Sequence, residues 1–104
     1  LEIQLKLKNR HGVQRTLTDI VTTDAARIAK RLVNHWKHKF EIEQEPSSFT
    51  IIMPEARVLL SPQAEHLHVS IEASEEKLSH LEHVVLDHLI RMGQTPLTAT
   101  WTQV

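Results

Sequence analysis

Histidine is the residue type in this chain that most directly suggests chemistry: there are eight in 104 residues, and no cysteine. Seven lie between positions 35 and 88, and six form close pairs: His35/His38, His66/His68 and His80/His83. Imidazole is the side chain most often recruited for metal ligation, proton transfer and pH sensing. The absence of cysteine excludes disulfides and thiolate zinc sites and fits a reducing cytoplasm. The question is whether these histidines meet at one site.

The first histidine pair lies near the end of a predicted helix, on the same flank as two arginines, Arg27 and Arg31. Fixed positive charges repel a metal cation, so the flank of Arg27, Arg31, His35 and His38 suits an anionic ligand better: a carboxylate or a phosphate. The alternative is an ordinary solvated basic face with His35 packed at its border.

The remaining histidines divide into separate groups. Glu76, His80, His83 and Asp87 share the polar face of a second predicted helix and are plausible zinc ligands, but an exposed set without an enclosing shell favours a fortuitous cluster. His88 lies beside the apolar stripe of that helix, which predicts a half-buried, hydrogen-bonded side chain. His66 and His68 alternate with core residues of a strand and are expected on the opposite sheet face.

Apolar spacing predicts the elements that position these residues. A helix over residues 25–39 follows from apolar residues three and four apart: Ala25, Ile28, Ala29, Leu32, Val33 and Trp36. A second follows Ser74 and ends at Arg91, with Gly93 at C′; its apolar stripe is Leu78, Leu81, Val85, Leu89 and Met92, widened by Val84 and Leu86. Strands are predicted over residues 1–8, 13–21, 40–45, 49–53, 57–61, 66–72 and 97–104.

The order β-β-α-β-β-β-β-α-β predicts an α+β fold, a two-layer sandwich of a mostly antiparallel sheet with both helices on one face. Part of this order is that of a ferredoxin-like split β-α-β unit with an extra hairpin. We expect one domain over residues 1–104, in which the strands over residues 1–8 and 13–21 form an N-terminal hairpin. Ile52 and Leu59 oppose the inward residues of their strands, so a homodimer partner or a neighbouring domain could cover the second sheet face.

The amino-acid composition argues against several classes of binding partner. The formal net charge of −1 and four scattered aromatic residues do not indicate nucleic-acid binding. No apolar run approaches the roughly 20 residues of a membrane-spanning helix, and two glycines leave no phosphate-binding loop. We therefore expect a cytoplasmic protein with no cofactor, no nucleic-acid partner and no membrane contact. Because residue 1 is not Met, the sequence is also consistent with a processed form or a domain of a longer chain.

From about residue 19 to residue 101 the chain resembles a bacterial family known as domain of unknown function 2218. The likeness lies in residues 35–39 (HWKHK), residues 81–85 (LEHVV) with 88–91 (HLIR), and the closing residues 97–101 (LTATW). Family members usually carry a glycine near position 48 and another after the position of Pro54; this chain has neither. Residues 1–18 lie outside the usual family pattern, which implies that they are an N-terminal hairpin addition. The resemblance implies functional positions at His35, His38 and His88.

The resemblance implies no established reaction. Members of the family are sometimes found near, or fused to, siderophore-interacting flavin reductases. This association implies a non-catalytic accessory or binding domain in iron–siderophore handling, with such a reductase or an anionic small ligand as partner. Binding would then use Arg27, Arg31, His35, His38 and His88. Two alternatives stay open: an enzyme with a histidine general acid or base, and a protein-interaction domain that dimerises through its sheet.

Overall fold

The computed structural model describes residues 13–104, and within that range two helices cover an open antiparallel sheet. The elements in chain order are β1 (Val13–Val21), α1 (Ala25–Trp36), β2 (Glu41–Glu45), β3 (Ser48–Met53), β4 (Ala56–Pro62), β5 (His66–Ser74), α2 (Glu75–Gly93) and β6 (Thr102–Gln103). The predicted α+β architecture is confirmed. The predicted strand over residues 1–8, and the hairpin it would form, lie outside the described residues.

The strand order in the sheet is β2-β3-β4-β5-β1-β6, and every neighbouring pair is antiparallel. When the β2–β3 hairpin is set aside, the remaining order β4-β5-β1-β6 is that of a split β-α-β unit. The hairpin between α1 and β4 extends this unit at one edge. The long β1–β5 pairing at the centre, from Val13↔Ser74 to Val21↔His66, joins the two halves of the chain.

The hydrophobic core lies between the helices and one face of the sheet. All six apolar residues predicted for α1 are buried, so its amphipathic pattern correctly identified the packed side. In α2, Leu78, Val85 and Leu89 are buried, whereas Leu81 and Met92 are half-buried. The sheet contributes fully buried aliphatic residues from four strands: Ile20, Ile51, Val58, Leu60, Leu67, Val69 and Ile71. No helix in this part of the chain is long and apolar enough to cross a membrane.

The opposite sheet face, here called the outer face, carries alternating charge. Arg15 and Arg57 both stand opposite Glu72 in the strand register, one on each side of it. Opposite charges across neighbouring strands stabilise a sheet by about 0.2–1 kcal/mol per pair. Ile52 and Leu59 are half-buried on this face, so the predicted two-sided apolar character of their strands is present without a covering layer in the described residues.

Helix α1 ends at Trp36, three residues earlier than predicted. The N–H groups of Lys39 and Phe40 both donate to the Trp36 carbonyl, at 2.9 and 2.8 Å, which turns the chain out of the helix. Phe40 then packs edge-on against Trp36, with ring centroids 5.8 Å apart. The early turn satisfies a helix-end carbonyl and brings an aromatic residue to the core. His38 consequently lies in a turn and not on the helix.

The end of α2 also differs from the prediction. Gly93 is the last helical residue, and the left-handed position after it is occupied by Gln94, with φ 54°. Gly93 serves close packing instead, since a Cβ there would lie 2.9 Å from Ile28 Cδ1 of α1. Glycine at residue 93 therefore allows the two helices to approach each other closely.

We expect Gln94→Gly to raise the free energy of unfolding by about 1 kcal/mol, because glycine adopts the left-handed conformation without the steric cost of a Cβ. Gln94→Asn should give a smaller gain, since asparagine tolerates this conformation better than glutamine does. Urea unfolding of the natural chain and the two variants measures the order of their free energies of unfolding. A Gln94→Gly variant no more stable than the natural chain would show that the exposed glutamine side chain compensates for its backbone conformation.

The predicted last strand is shorter than expected. Only Thr102–Gln103 pairs with β1. Residues 97–101 follow β1 without joining the ladder: the Thr100 N–H donates to the Thr18 hydroxyl at 3.2 Å, and Leu97 is buried. The hydroxyl of Thr18 here accepts the hydrogen bond that a backbone carbonyl would accept in a regular ladder. The periodicity of apolar residues does not predict such a side-chain hydrogen bond.

Candidate functional site

The two helices pack antiparallel, so the middle of α1 faces the last turns of α2. Arg31 Nη1 donates to the Met92 carbonyl at 3.1 Å. One turn further along α1, the His35 ring lies 5.8 Å from the His88 ring, measured between centroids. This crossing brings together three of the five predicted site residues: Arg31, His35 and His88.

A groove with a volume of about 410 Å³ lies beside this crossing and is open to solvent. Its lining comes from both helices and the turn after α2: Arg31, Asn34, His35, Arg91, Met92 and Gln94. The guanidinium groups of Arg31 and Arg91 are permanently charged, and the His35 ring adds a further polar group. The groove, here called the interhelix groove, therefore suits an anion better than a cation.

Each arginine of the interhelix groove has one local partner. Besides the bond from Arg31 to Met92, Arg91 Nη2 lies 3.2 Å from Asp87 Oδ2, in a pair whose two side chains are more than half exposed. An exposed pair of this kind contributes about 0–1 kcal/mol. Both guanidinium groups keep further N–H donors, because each carries five.

Arg27 lies apart from the groove. Its Nη2 bonds Asp24 Oδ2 at 2.6 Å, at the start of α1. This hydrogen bond lowers the pKa of Asp24 below its ordinary value and raises the pKa of Arg27. The predicted flank of α1 is therefore divided: Arg27 forms an ion pair at the helix start, whereas Arg31 and His35 face the groove.

His88 is half-buried and hydrogen-bonded, as predicted. Its Nδ1 lies 2.8 Å from the Val84 carbonyl oxygen. Because a carbonyl only accepts, Nδ1 carries the proton and Nε2 of the neutral ring keeps its lone pair. The Trp36 ring packs against His88 with centroids 5.0 Å apart. Backbone and indole together hold this imidazole in one orientation.

His38 does not share the surface predicted for it. The flank argument assumed that α1 continues to residue 39, but the chain leaves the helix after Trp36. His38 is exposed in the following turn, and it is absent from the lining of the interhelix groove. The physical reason is the tight turn onto Phe40, which breaks the helical spacing that would have aligned His38 with Arg31.

The other histidines of residues 13–104 are distributed over separate surfaces. His68 Nδ1 lies 2.7 Å from Asp19 Oδ1 on the outer face, and His66 Nε2 lies 3.8 Å from the same oxygen. His80 and His83 are exposed on α2. Across residues 13–104, no group of three or more histidines and carboxylates is placed to hold a metal ion.

Sequence reasoning missed several lining residues of the interhelix groove. In the sequence Arg91 marks only the predicted end of α2, and Met92 belongs to the apolar stripe of that helix. Asn34 and Gln94 have no predicted role. Their convergence depends on the antiparallel contact between the helices. The only signal in the sequence was that both helices carry arginine and histidine beside an apolar stripe.

The family described as "Uncharacterized protein conserved in bacteria (DUF2218)" matches residues 18–102. The chain belongs to this family. The DUF2218 match begins in β1 and ends in β6, so it includes both helices, the interhelix groove and all five predicted site residues.

A solved structure has a fold similar to that of this chain. The NMR structure of PA4090 from Pseudomonas aeruginosa resembles the chain with a TM-score of 0.73 at 33% sequence identity, covering 86% of this chain and 95% of that one. A comparison with curated proteins gives no match.

Proposed function

We propose that this DUF2218 domain is a non-catalytic binding domain that takes an anionic ligand in the interhelix groove. The observation that carries the proposal is the convergence of Arg31, His35 and Arg91 from two helices on one open depression. Guanidinium groups recognise carboxylate and phosphate through paired N–H donors. Both arginines are exposed, so an incoming anion meets them without a conformational change.

The shape of the groove favours binding over catalysis. A histidine general acid or base works best in a site that excludes water and holds the reacting atoms close together. The interhelix groove is open, and His35 is exposed within it. This geometry supports recognition of a ligand surface more than a histidine-dependent reaction.

Within this proposal, the anion is an iron-loaded siderophore or a related metal chelate, and the domain serves iron–siderophore handling. Siderophores that bind iron through carboxylates or catecholates carry negative charge, which complements the arginines. A siderophore-interacting flavin reductase is the corresponding protein partner, which would receive the ligand from the groove.

The test is a calorimetric titration with an iron-loaded carboxylate siderophore, its iron-free form, and citrate. We expect binding to weaken about 10- to 100-fold in Arg91→Gln, because a hydrogen bond to a charged group contributes about 1.5–3 kcal/mol. Arg57→Gln on the outer face is the matched control and should bind like the natural chain. No heat from any of the three ligands at millimolar concentration would exclude the proposal.

A second candidate is self-association through the outer face. Val13 and Val21 at the two ends of β1 are 47% and 83% exposed, and Ile52 and Leu59 add half-buried apolar surface there. Arg15, Glu72 and Arg57 alternate in charge across this face. A second copy of the chain, related by a twofold axis, could therefore place its glutamate against an arginine of the first copy. Sedimentation at several concentrations tests this, and Leu59→Asp should abolish any dimer that forms by this face.

A further inference from the structure

We propose that His35 and His88 together bind a transition-metal ion whose remaining coordination positions are filled by an anionic chelator lying in the interhelix groove. This inference rests on the proposed function and specifies its ligand class: a chelated metal and not a bare anion. It arises because these two imidazoles, from different helices, lie close together with their ring planes tilted. His35 lines the groove with the arginines, whereas His88 lies next to His35 and is not itself a lining residue.

The separation of the two rings suits a shared metal ion. An imidazole bound at about 2.1 Å through its nitrogen places its ring centroid about 3.2 Å from the metal. Two rings on one ion therefore have centroids about 5.2 Å apart at the tetrahedral angle and about 4.5 Å apart in cis-octahedral positions. The centroids of His35 and His88 are 5.8 Å apart, with ring planes inclined by 41°. His35 is exposed, so its ring can rotate to complete the geometry.

His88 has the environment of a metal-binding imidazole. A ligating histidine usually donates its second ring N–H to a carbonyl or carboxylate, which selects the tautomer and orients the ring. The His88 Nδ1–H donates to the Val84 carbonyl in this way. Contact with Trp36 restricts the ring further, so less entropy is lost when Nε2 binds a metal.

The positive charge of the nearby arginines is balanced chiefly by the anionic chelator and only in part by their partners in the protein. Arg31 bonds the carbonyl of Met92 near the end of α2, where helix carbonyls carry partial negative charge. Arg91 pairs with Asp87. An anionic chelator adds its own negative charge, so the metal enters the groove as part of a neutral or negative complex that the arginines attract.

The two imidazoles alone make an incomplete site. Within the described residues no third histidine or carboxylate joins them, whereas transition metals take four to six ligands. The pair therefore leaves most coordination positions open. This incompleteness distinguishes the site from a structural zinc centre and requires a ligand from outside the chain.

The probe is Ni²⁺–nitrilotriacetate, in which the chelator leaves positions that two imidazoles can fill. Other histidine pairs would also bind it, so the titration uses a background variant with His66→Gln, His68→Gln, His80→Gln and His83→Gln. Into this background we introduce His35→Gln or His88→Gln, with His38→Gln as the matched control. Because His88 contacts Trp36, circular dichroism checks that fold is retained; His35 is exposed and carries the test if His88→Gln unfolds.

We expect one equivalent of the probe to bind the background protein, with affinity reduced at least about tenfold by His35→Gln and by His88→Gln, since each removes one of two linked ligands. His38→Gln should change nothing. Paramagnetic broadening of the His35 and His88 ring protons in NMR spectra should appear together. Equal affinity in the background and in His35→Gln would overturn the metal site.

A parallel titration with metal-free citrate separates the two proposals. Citrate binding that depends on Arg91, together with no binding of the nickel complex, would leave anion recognition standing and refute the metal site. Binding of the nickel complex that depends on His35 and is unaffected by Arg91→Gln would support the metal site and refute recognition of the chelator by the arginines.

Discussion

Replacing Trp36 by alanine is expected to lower the free energy of unfolding by about 3–5 kcal/mol, the usual cost of removing a buried tryptophan. Trp36 is only 6% exposed and closes the core at the end of α1. Its ring contacts Phe40 edge-on and lies against His88. The substitution removes both contacts and leaves a cavity where the chain turns out of the helix.

Urea unfolding followed by circular dichroism measures this loss. Trp36→Phe should recover part of the stability, because an aromatic ring remains against Phe40. Trp101→Ala is the matched control: Trp101 is half-buried, so its removal should be clearly less destabilising. If Trp36→Ala and Trp101→Ala were equally stable, the role assigned to Trp36 in joining α1 to the core would be wrong.

Trp36→Ala has a second expected effect, on metal binding beside the interhelix groove. Without the indole, the His88 ring loses one of the two contacts that orient it, although its bond to the Val84 carbonyl remains. Affinity for the nickel complex should therefore fall even under conditions where Trp36→Ala is fully folded. Trp36→Phe should restore part of the affinity together with part of the stability.

Replacing Leu89 by alanine is expected to lower the free energy of unfolding by about 3 kcal/mol, within the range of about 2–5 kcal/mol for buried leucine. Leu89 is fully buried, on the side of α2 that faces the sheet and α1. Alanine would leave a cavity there. The lost stability combines the transfer free energy of the removed hydrocarbon with van der Waals contacts that neighbouring side chains cannot recover.

Leu86→Ala, on the same helix, is the comparison for Leu89→Ala. Leu86 is half-buried at the margin of the core, so its replacement should cost about 1 kcal/mol. Small domains have about 5–15 kcal/mol of total stability, and both Leu89→Ala and Trp36→Ala should unfold at visibly lower urea concentration. A smaller loss for Leu89→Ala than for Leu86→Ala would contradict the packing described for α2.

How far the fold could be predicted is clearest in α1. Its six apolar positions recur with helical spacing, and all six are buried. Helical periodicity depends only on local backbone geometry, so it is visible in a sequence. The end of α1 was not predictable in the same way, because it depends on the contact between Phe40 and Trp36, two residues that also fit continuation of the helix.

The candidate site was predictable only in part. Arg31 and His35 were identified together from their positions on α1, whereas His88 entered as a site residue through the family resemblance and Arg91 not at all. The helical argument wrongly added His38 and Arg27 to the same surface. Spacing along one helix shows which side chains share a face, but it does not show what opposes that face.

The sequence by itself determined the α+β class, both amphipathic helices, the outward direction of His66 and His68, and the separation of the histidines into groups. Each of these features follows from the residue periodicity within a single helix or strand. The tertiary structure decided that Gly93 packs against Ile28 and that His35 meets His88. These contacts join residues more than fifty positions apart, and their register is set by the way both helices fit the same sheet face, which no local repeat encodes.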